Sequence, residues 1–257
     1  MLQTGHIASA LFDLLSERAE NTTIQDVRIG LGYAGVRIAE GRLGLAAILR
    51  NELRRGCSLL DRAGTLAGSG AVELLRLVVD GRNPLEKALG LATANALSGP
   101  VEEPESDALE EMNLSPDDRV AMVGFFGPLL GRIRKRGASL DIIEKDPSMG
   151  PSSPVQERRK ILGDCTIAII TATSILNDSI EEILNELNSP RHAVILGPST
   201  PLCPEAFLGT PVTYLGGSVP RDPEKVLTII SEGGGTPAMR PCLKFVNLRL
   251  QGSDGSP

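Results

Sequence analysis

The spacing of apolar residues over the first hundred positions predicts helices together with a small antiparallel sheet. A helix is expected over residues 6–19, where four apolar residues recur at helical spacing: Ile7, Leu11, Leu14 and Leu15. Apolar residues that alternate with polar ones on both sides of Tyr33-Ala34-Gly35 then predict a β-hairpin. Asn83-Pro84-Leu85-Glu86 has the residues of a helix start, and the helix is expected to end near Ser98. Strands followed by helices are typical of an α+β domain.

The second half of the chain alternates apolar strands with amphipathic helices. The predicted strands are Val120–Val123, Leu140–Ile143, Thr166–Ile170, Ala193–Leu196, Val212–Leu215 and Phe245–Leu248. The third and fourth are almost continuously apolar, which is typical of parallel strands covered on both faces. The fold class is therefore α/β, with an N-terminal α+β domain followed by a Rossmann-like parallel sheet of five or six strands.

The segment over residues 119–146 reads as strand, glycine turn, helix and second strand, with Glu144 about 20 residues after the turn. Nucleotide-binding sheets often hold a ribose at such an acid. The turn, however, is Gly124-Phe125-Phe126-Gly127 rather than a glycine-rich phosphate loop. Phe126 and Leu129 occupy two of the three glycine positions of the dinucleotide fingerprint, so NAD is disfavoured. We expect the two phenylalanines to wall a cleft against the first domain.

Composition indicates where the domain boundary lies and which classes of function are excluded. Residues 101–118 are acidic and rich in Pro and Ser, which predicts a linker between domains at 1–100 and 119–249, with a disordered tail at 250–257. The net charge of −6 and the pI near 5.1 argue against nucleic-acid binding. No apolar run reaches membrane-spanning length. Four cysteines without a CxxC pair, and no secretion signal, favour reduced thiols in a cytoplasmic protein.

Ligands of open parallel sheets bind beyond the carboxyl ends of the strands, so those ends are where a site is expected. The candidates here are Gly124, Phe125, Glu144, Thr171, Thr173 and Ser174. Each has a second interpretation that stays open at this point. Glu144 either bonds a diol or belongs to an exposed charged turn, and the hydroxyl groups either contact a ligand or cap the next helix.

A stiff loop after the fourth strand of the second half is the most specific candidate for anion binding. Gly197, Pro198, Ser199, Thr200 and Pro201 fix the chain and leave the amides of Ser199 and Thr200 as its free donors, which predicts an anion nest.

Two further residues are candidates outside that loop. Cys203 precedes a helix start, where a thiol can have a lowered pKa, although most isolated cysteines are small core residues. Asn95 lies at the edge of an apolar helix stripe and either faces the second domain or is purely structural.

These segments, in this order, resemble a prokaryotic family of unknown function described as "putative heavy-metal chelation". The resemblance covers residues 25–248, and its matching pieces are GLATANAL (90–97), VAMVGFFGPL (120–129), LDIIEKDP (140–147), DCTIAIITATSILN (164–177) and ILGPSTPLCPEAF (195–207). It implies an enolase N-terminal-like domain, a Rossmann-like domain and a ligand site in the cleft between them. The implied site residues are Asn95, Gly124, Phe125, Glu144, Thr171, Ser174, Gly197, Pro198, Thr200 and Pro201.

Three functions follow from the residues and the resemblance together. The first is chelation of a divalent transition metal or handling of a metal complex, with Glu144 and Cys203 as metal ligands and a link to anaerobic cobalamin synthesis. The second is an enzyme that acts on a small anionic or nucleotide-like substrate. The third is a non-catalytic partner-binding protein, with homo-oligomer formation left open.

Overall fold

The computed structural model describes residues 1–53, 56–144 and 155–250, so the predicted disorder of the tail after Leu250 falls outside the described residues. The strands are β1 (Ile24–Ile29), β2 (Tyr33–Ile38), β3 (Leu43–Ala47), β4 (Arg119–Val123), β5 (Ser139–Ile143), β6 (Ile167–Thr171), β7 (His192–Leu196), β8 (Tyr214–Pro220) and β9 (Leu243–Arg249). The α-helices are α1 (His6–Glu20), α2 (Ala71–Leu75), α3 (Leu77–Asp80), α4 (Pro84–Leu97), α5 (Ala108–Glu111), α6 (Gly127–Lys135), α7 (Val155–Asp164), α8 (Ile180–Asn185), α9 (Pro223–Ser231) and α10 (Thr236–Met239).

The N-terminal domain is an antiparallel sheet, in the order β1-β2-β3, with α4 packed across it. The predicted start of α4 is confirmed, because the Asn83 side chain accepts from the amides of Leu85 and Glu86. Helix and sheet approach closely at Gly44, where an added Cβ would lie 2.0 Å from the Ala92 carbonyl oxygen. The absence of a side chain at this position therefore sets the distance between α4 and β3.

The predicted linker packs onto the second domain. It contains α5, and Leu109, Met112 and Leu114 are buried in an apolar cluster with strands β4, β6 and β7. Asp107 accepts two hydrogen bonds from the guanidinium of Arg132 on α6, at 2.7 and 2.8 Å. Acidic residues of the predicted linker thus pair with the basic end of α6, and the second half of 101–118 packs on the second domain. The exact domain boundary stays a prediction.

The second domain is a six-stranded sheet in the order β5-β4-β6-β7-β8-β9. The first five strands run parallel and β9 pairs antiparallel with β8, so the predicted α/β class with a parallel sheet is confirmed and gains one antiparallel edge. Strand β5 lies on one side of β4, and β6 lies on the other. The strand order therefore reverses between β4 and β6, at their carboxyl ends.

The two domains share one core instead of facing each other across an open gap. Residues such as Ile7 and Leu89 of the first domain belong to the same buried cluster as Ile170 and Phe207 of the second. The tip of the β1–β2 hairpin also presses on α9, since a Cβ at Gly30 would lie 2.1 Å from the Ile230 carbonyl oxygen. In the described part of the chain, none of the helices is long and apolar enough to cross a membrane.

The spacing of Ser179 and Glu182 in the sequence predicts a capping box at the start of α8, and that box does not form. Ser179 is the N-cap residue of α8, but its side chain makes no capping hydrogen bond. The Ser179 hydroxyl bonds to Asn177 Oδ1 at 2.6 Å, and Glu182 pairs with Arg158 on α7. A nearby amide and a guanidinium from another helix therefore replace the local reciprocal bonds.

Candidate functional site

The carboxyl ends of four strands lie side by side, as the sequence predicts. Val123 pairs with both Ile143 and Ile170, and Thr171 pairs with Leu196. The order along the edge is therefore Glu144, residues 124–127, residues 171–174 and residues 197–201. We call this edge the rim. All the predicted site residues of the second domain other than Cys203 belong to it.

Gly124 lies at the point where the strand order reverses. Its φ of +87° is in the left-handed region, and an added Cβ would lie 2.9 Å from both Cβ and Cγ2 of Thr171. Glycine is thus required here both by the turn and by the close approach of β6. In open α/β sheets such a switch point is where ligands bind, so the surface next to Gly124 and Thr171 is the first candidate site.

The hydroxyl groups that follow β6 divide into two kinds. Ser174 is only 2% exposed and donates to the Thr171 carbonyl oxygen at 2.6 Å, so it holds the turn together. Thr171 and Thr173 are half-buried, and their Oγ1 atoms lie 2.9 Å apart in a shared hydrogen bond. Half-buried Glu144 lies at the end of the strand on the other side of β4. Thr171, Thr173 and Glu144 therefore remain accessible, whereas Ser174 does not.

The Gly197–Pro201 loop does not present both of its amides as the free donors that the predicted anion nest needs. Ser199 and Thr200 are each 2% exposed, and Ser199 bonds to residues of the first domain. The Ser199 hydroxyl accepts from the Ala47 amide at 2.8 Å, and the Thr200 amide donates to the Gly197 carbonyl oxygen at 3.0 Å. The stiff loop, including Pro198, therefore joins the domains through Ser199, and anion binding at this loop stays a prediction.

Asn95 faces the second domain, which confirms the interdomain interpretation of this residue. Its Nδ2 donates to Leu45 O at 2.7 Å within its own domain and to Ser199 O at 3.1 Å across the interface. Asn95 Oδ1 and Thr200 Oγ1 are two of the six side-chain atoms that are buried without a hydrogen-bond partner among the described residues. Asn95 thus ties α4 to the 197–201 loop, away from the accessible part of the rim.

The expected wall of two phenylalanines does not form. Phe126 packs into the cluster of Val120, Met122 and Ile133 in its own domain, and Phe125 is 40% exposed. A turn between a strand and a helix points successive side chains in different directions, so Phe125 faces solvent and Phe126 is half-buried against the cluster. Phe125 is therefore an accessible part of the rim rather than an interdomain contact.

The soft donors of the chain do not fit a heavy-metal centre. All four cysteines and both histidines lie in the described ranges, where no three His, Cys, Asp or Glu side chains are grouped as a metal site. Burial and the nearby Glu205 carboxylate together raise the pKa of Cys203 to about 11, so of the two interpretations left open for this residue the structure favours the buried core thiol. His192, whose pKa burial lowers, begins β7 at the opposite edge of the sheet from the rim.

Sequence reasoning missed one buried acid at the domain interface. Glu181 in the first turn of α8 is 2% exposed, and its Oε1 accepts from the Ile7 amide near the start of α1 at 3.0 Å. An acid in the first turn of a helix is normally interpreted as exposed. Because its partner is 174 residues away in the chain, no local signal could have identified it.

Known proteins similar to this chain have been described without an established activity. An uncharacterized protein of Methanocaldococcus jannaschii is 27% identical over 232 residues, which cover 86% of this chain and 88% of that protein. A crystal structure of a protein of unknown function from Pyrococcus horikoshii superposes with a TM-score of 0.81 at 24% identity, covering 95% of this chain and 99% of that one. A second, from Desulfitobacterium hafniense, gives 0.81 at 20% identity, with 96% and 98% covered. Both structures share the fold.

Two family models match the two parts of the chain separately. One matches residues 12–98 and the other residues 107–249, and both carry the description "putative heavy-metal chelation". The second match alone spans more than half of the sequence. The chain therefore belongs to the family described as "putative heavy-metal chelation".

Proposed function

We propose that this protein binds a small organic ligand at the accessible part of the rim, formed by Gly124, Phe125, Glu144, Thr171 and Thr173. The observation that carries the proposal is the seating of Gly124 on Thr171 at the point where the strand order reverses. Hydroxyl and carboxylate groups flank this point and stay half-buried, while Ser199, Thr200 and Pro201 at the far end of the rim are buried. Glu144 accepts from a ligand hydroxyl or amide, and Thr171 and Thr173 donate or accept.

The same proposal holds that a metal binds at this site only when the organic ligand already coordinates it. The family description names heavy-metal chelation, yet the buried thiols of Cys165 and Cys203, each with a pKa raised to about 11 by burial, are poor thiolate donors at neutral pH. Recognition of the complex then depends on hydrogen bonds to its organic part. Free Ni²⁺, Co²⁺ and Fe²⁺ are expected to produce no saturable binding heat in calorimetry.

A thermal-shift screen followed by calorimetry tests the site. The screen contains S-adenosylmethionine, nucleotides and phosphorylated metabolites, and every compound that stabilises the protein is titrated into wild type and variants. Loss of a charged acceptor in Glu144→Gln is expected to weaken binding about tenfold, and loss of one hydroxyl in Thr171→Val about fivefold. Thr228→Val, which removes an exposed hydroxyl on α9, is the matched control and should bind as wild type does.

The alternatives give different results in the same experiments. A compound whose affinity is unchanged in both Glu144→Gln and Thr171→Val binds elsewhere, and that result would contradict a ligand site at the rim. Turnover of a bound phosphorylated or nucleotide compound would favour the enzyme alternative. A blank across the whole screen would favour a protein that binds macromolecular partners.

A further inference from the structure

The rim carries an exposed aromatic ring whose position suits stacking. Phe125 follows Gly124 directly, at the end of β4 where the strand order reverses, and 40% of it is exposed. The chain has five Phe, two Tyr and no Trp. Among the exposed large apolar side chains of the described ranges, Phe125 is the aromatic one. A ring that contributes little to the core and lies next to polar groups is available to a ligand.

The ring occupies the place where a related sheet would hold a phosphate. Phe125 Cε1 lies 3.3 Å from the position that a Gly127 Cβ would take, so the ring covers the first residue of α6. Phosphate binding at a helix start needs free backbone N–H groups. Pro128 has none, and the Leu129 amide already donates to the Phe126 carbonyl oxygen at 2.9 Å. An apolar ring therefore lies against the start of α6, where Pro128 and Leu129 offer no free amide donor.

The residues that carry the polar groups lie on both sides of the strand that precedes Phe125. Glu144 directly follows β5 and Thr171 ends β6, with β4 between them. The backbones of Glu144 and Thr171 are two strand spacings apart, or about 10 Å. This distance matches the length of a fused ring system together with its substituents. A planar ligand that lies against Phe125 therefore reaches a carboxylate at one edge and hydroxyl groups at the other.

We propose that the ligand has a planar conjugated ring that stacks on Phe125. This inference rests on the ligand site proposed above. The edge groups of the ligand bond to Glu144 on one side and to Thr171 or Thr173 on the other. No phosphate is needed at the start of α6. Ring stacking is favourable for any flat π-system, so the identity of the edge groups sets specificity.

The absence of tryptophan provides a direct reporter of stacking. Phe125→Trp places a single indole at the proposed contact, and Leu208→Trp places one at an exposed residue outside the rim as a matched control. The fluorescence of both variants is titrated with adenosine, guanosine and riboflavin as ring probes. Ribose 5-phosphate and inorganic phosphate are the ring-free probes, and absorbance by riboflavin is corrected with the Leu208→Trp variant.

We expect at least one ring probe to change the Phe125→Trp fluorescence saturably, while the Leu208→Trp fluorescence and the ring-free titrations stay flat. For that probe, Phe125→Ala should raise Kd about tenfold in calorimetry, and Phe125→Tyr should retain the wild-type affinity. No saturable response to any ring probe would overturn the inference. Ring-free binding that is lost in Thr171→Val, with Phe125→Ala unaffected, would overturn the stacking and leave the rim site intact. Binding that neither Thr171→Val nor Phe125→Ala alters would overturn both.

Discussion

Single glycines in this fold differ in how much room surrounds them. An added Cβ at Gly44 would meet Ala92 O at 2.0 Å and Ala96 N at 2.3 Å, and both are backbone atoms that cannot rotate away. At Gly131, inside α6, an added Cβ meets nothing within 4 Å. The same substitution therefore has opposite expected effects at the two positions.

Gly44→Ala should lower the free energy of unfolding by about 2 kcal/mol or more, because α4 must move off β3. Gly131→Ala should raise it by about 0.5–1 kcal/mol, since alanine loses less backbone entropy in a helix. Urea denaturation of the two variants and wild type measures both effects. A neutral Gly44→Ala would mean that α4 and β3 are not in close contact.

The reactivity of the thiols follows from their burial. Cys57 is exposed, whereas Cys165 and Cys203 are buried and their pKa values are raised to about 11. With a disulfide reagent at pH 8, Cys57 should react fast and Cys57→Ser should abolish the fast phase, while all four thiols react in denaturant. Fast labelling of Cys203 in the folded protein would contradict the packing described here.

Burial of these thiols also gives stability a pH dependence. A raised pKa in the folded state means that the unfolded chain releases its thiol proton first, as pH rises past about 9. The stability that the neutral thiol contributes is complete below that pH and is lost as pH approaches about 11. Denaturation between pH 8.5 and 11 should therefore show a decline that is steeper in wild type than in Cys203→Ala by up to about 1.4 kcal/mol per pH unit, because Cys165, whose pKa is also raised to about 11, still contributes in the variant. Equal declines in both proteins would argue against a raised pKa for Cys203 in the folded state.

At the scale of elements, local patterns predicted what local physics determines. The buried strands β6 and β7 and the start of α4 depend on apolar runs and on Asn83, which act over a few residues, and these predictions hold. The interdomain role of the Gly197–Pro201 loop is not visible in the sequence because the partners of Ser199 lie far away in the chain. Ser199 and Asn95 are separated by 104 residues, so only the assembled fold reveals that this stiff loop joins domains.

Helix α1 depends on an acid from the other domain. The Glu181 carboxylate accepts from the Ile7 amide near the positive end of α1, and the contact is buried. Glu181→Ala should lower the free energy of unfolding by about 1.5–3 kcal/mol, because a charged hydrogen bond is lost and a buried amide is left unpaired. Glu182→Ala breaks a more exposed ion pair with Arg158 and should cost less than about 1 kcal/mol. Equal losses in guanidinium denaturation would contradict a capping role for Glu181.

At the scale of the whole molecule, the shared core predicts joint unfolding of the two domains. One buried cluster contains residues from both, and Gly30, Asn95 and Glu181 make further contacts across the interface. Calorimetric heating should therefore give a single transition whose calorimetric and van't Hoff enthalpies agree. Two separated transitions would show that the domains are independent and that the cluster does not couple them.

The central claim is that the accessible rim beside Gly124 binds the ligand, while the 197–201 loop joins the domains. A crystal structure of the wild-type protein soaked with the probe that gives the largest response in Phe125→Trp tests this claim most directly. We predict density for a ring against Phe125, with polar edge atoms within hydrogen-bonding distance of Thr171 or Glu144. Density between Asn95 and Thr200, or density for the probe outside the rim altogether, would contradict it.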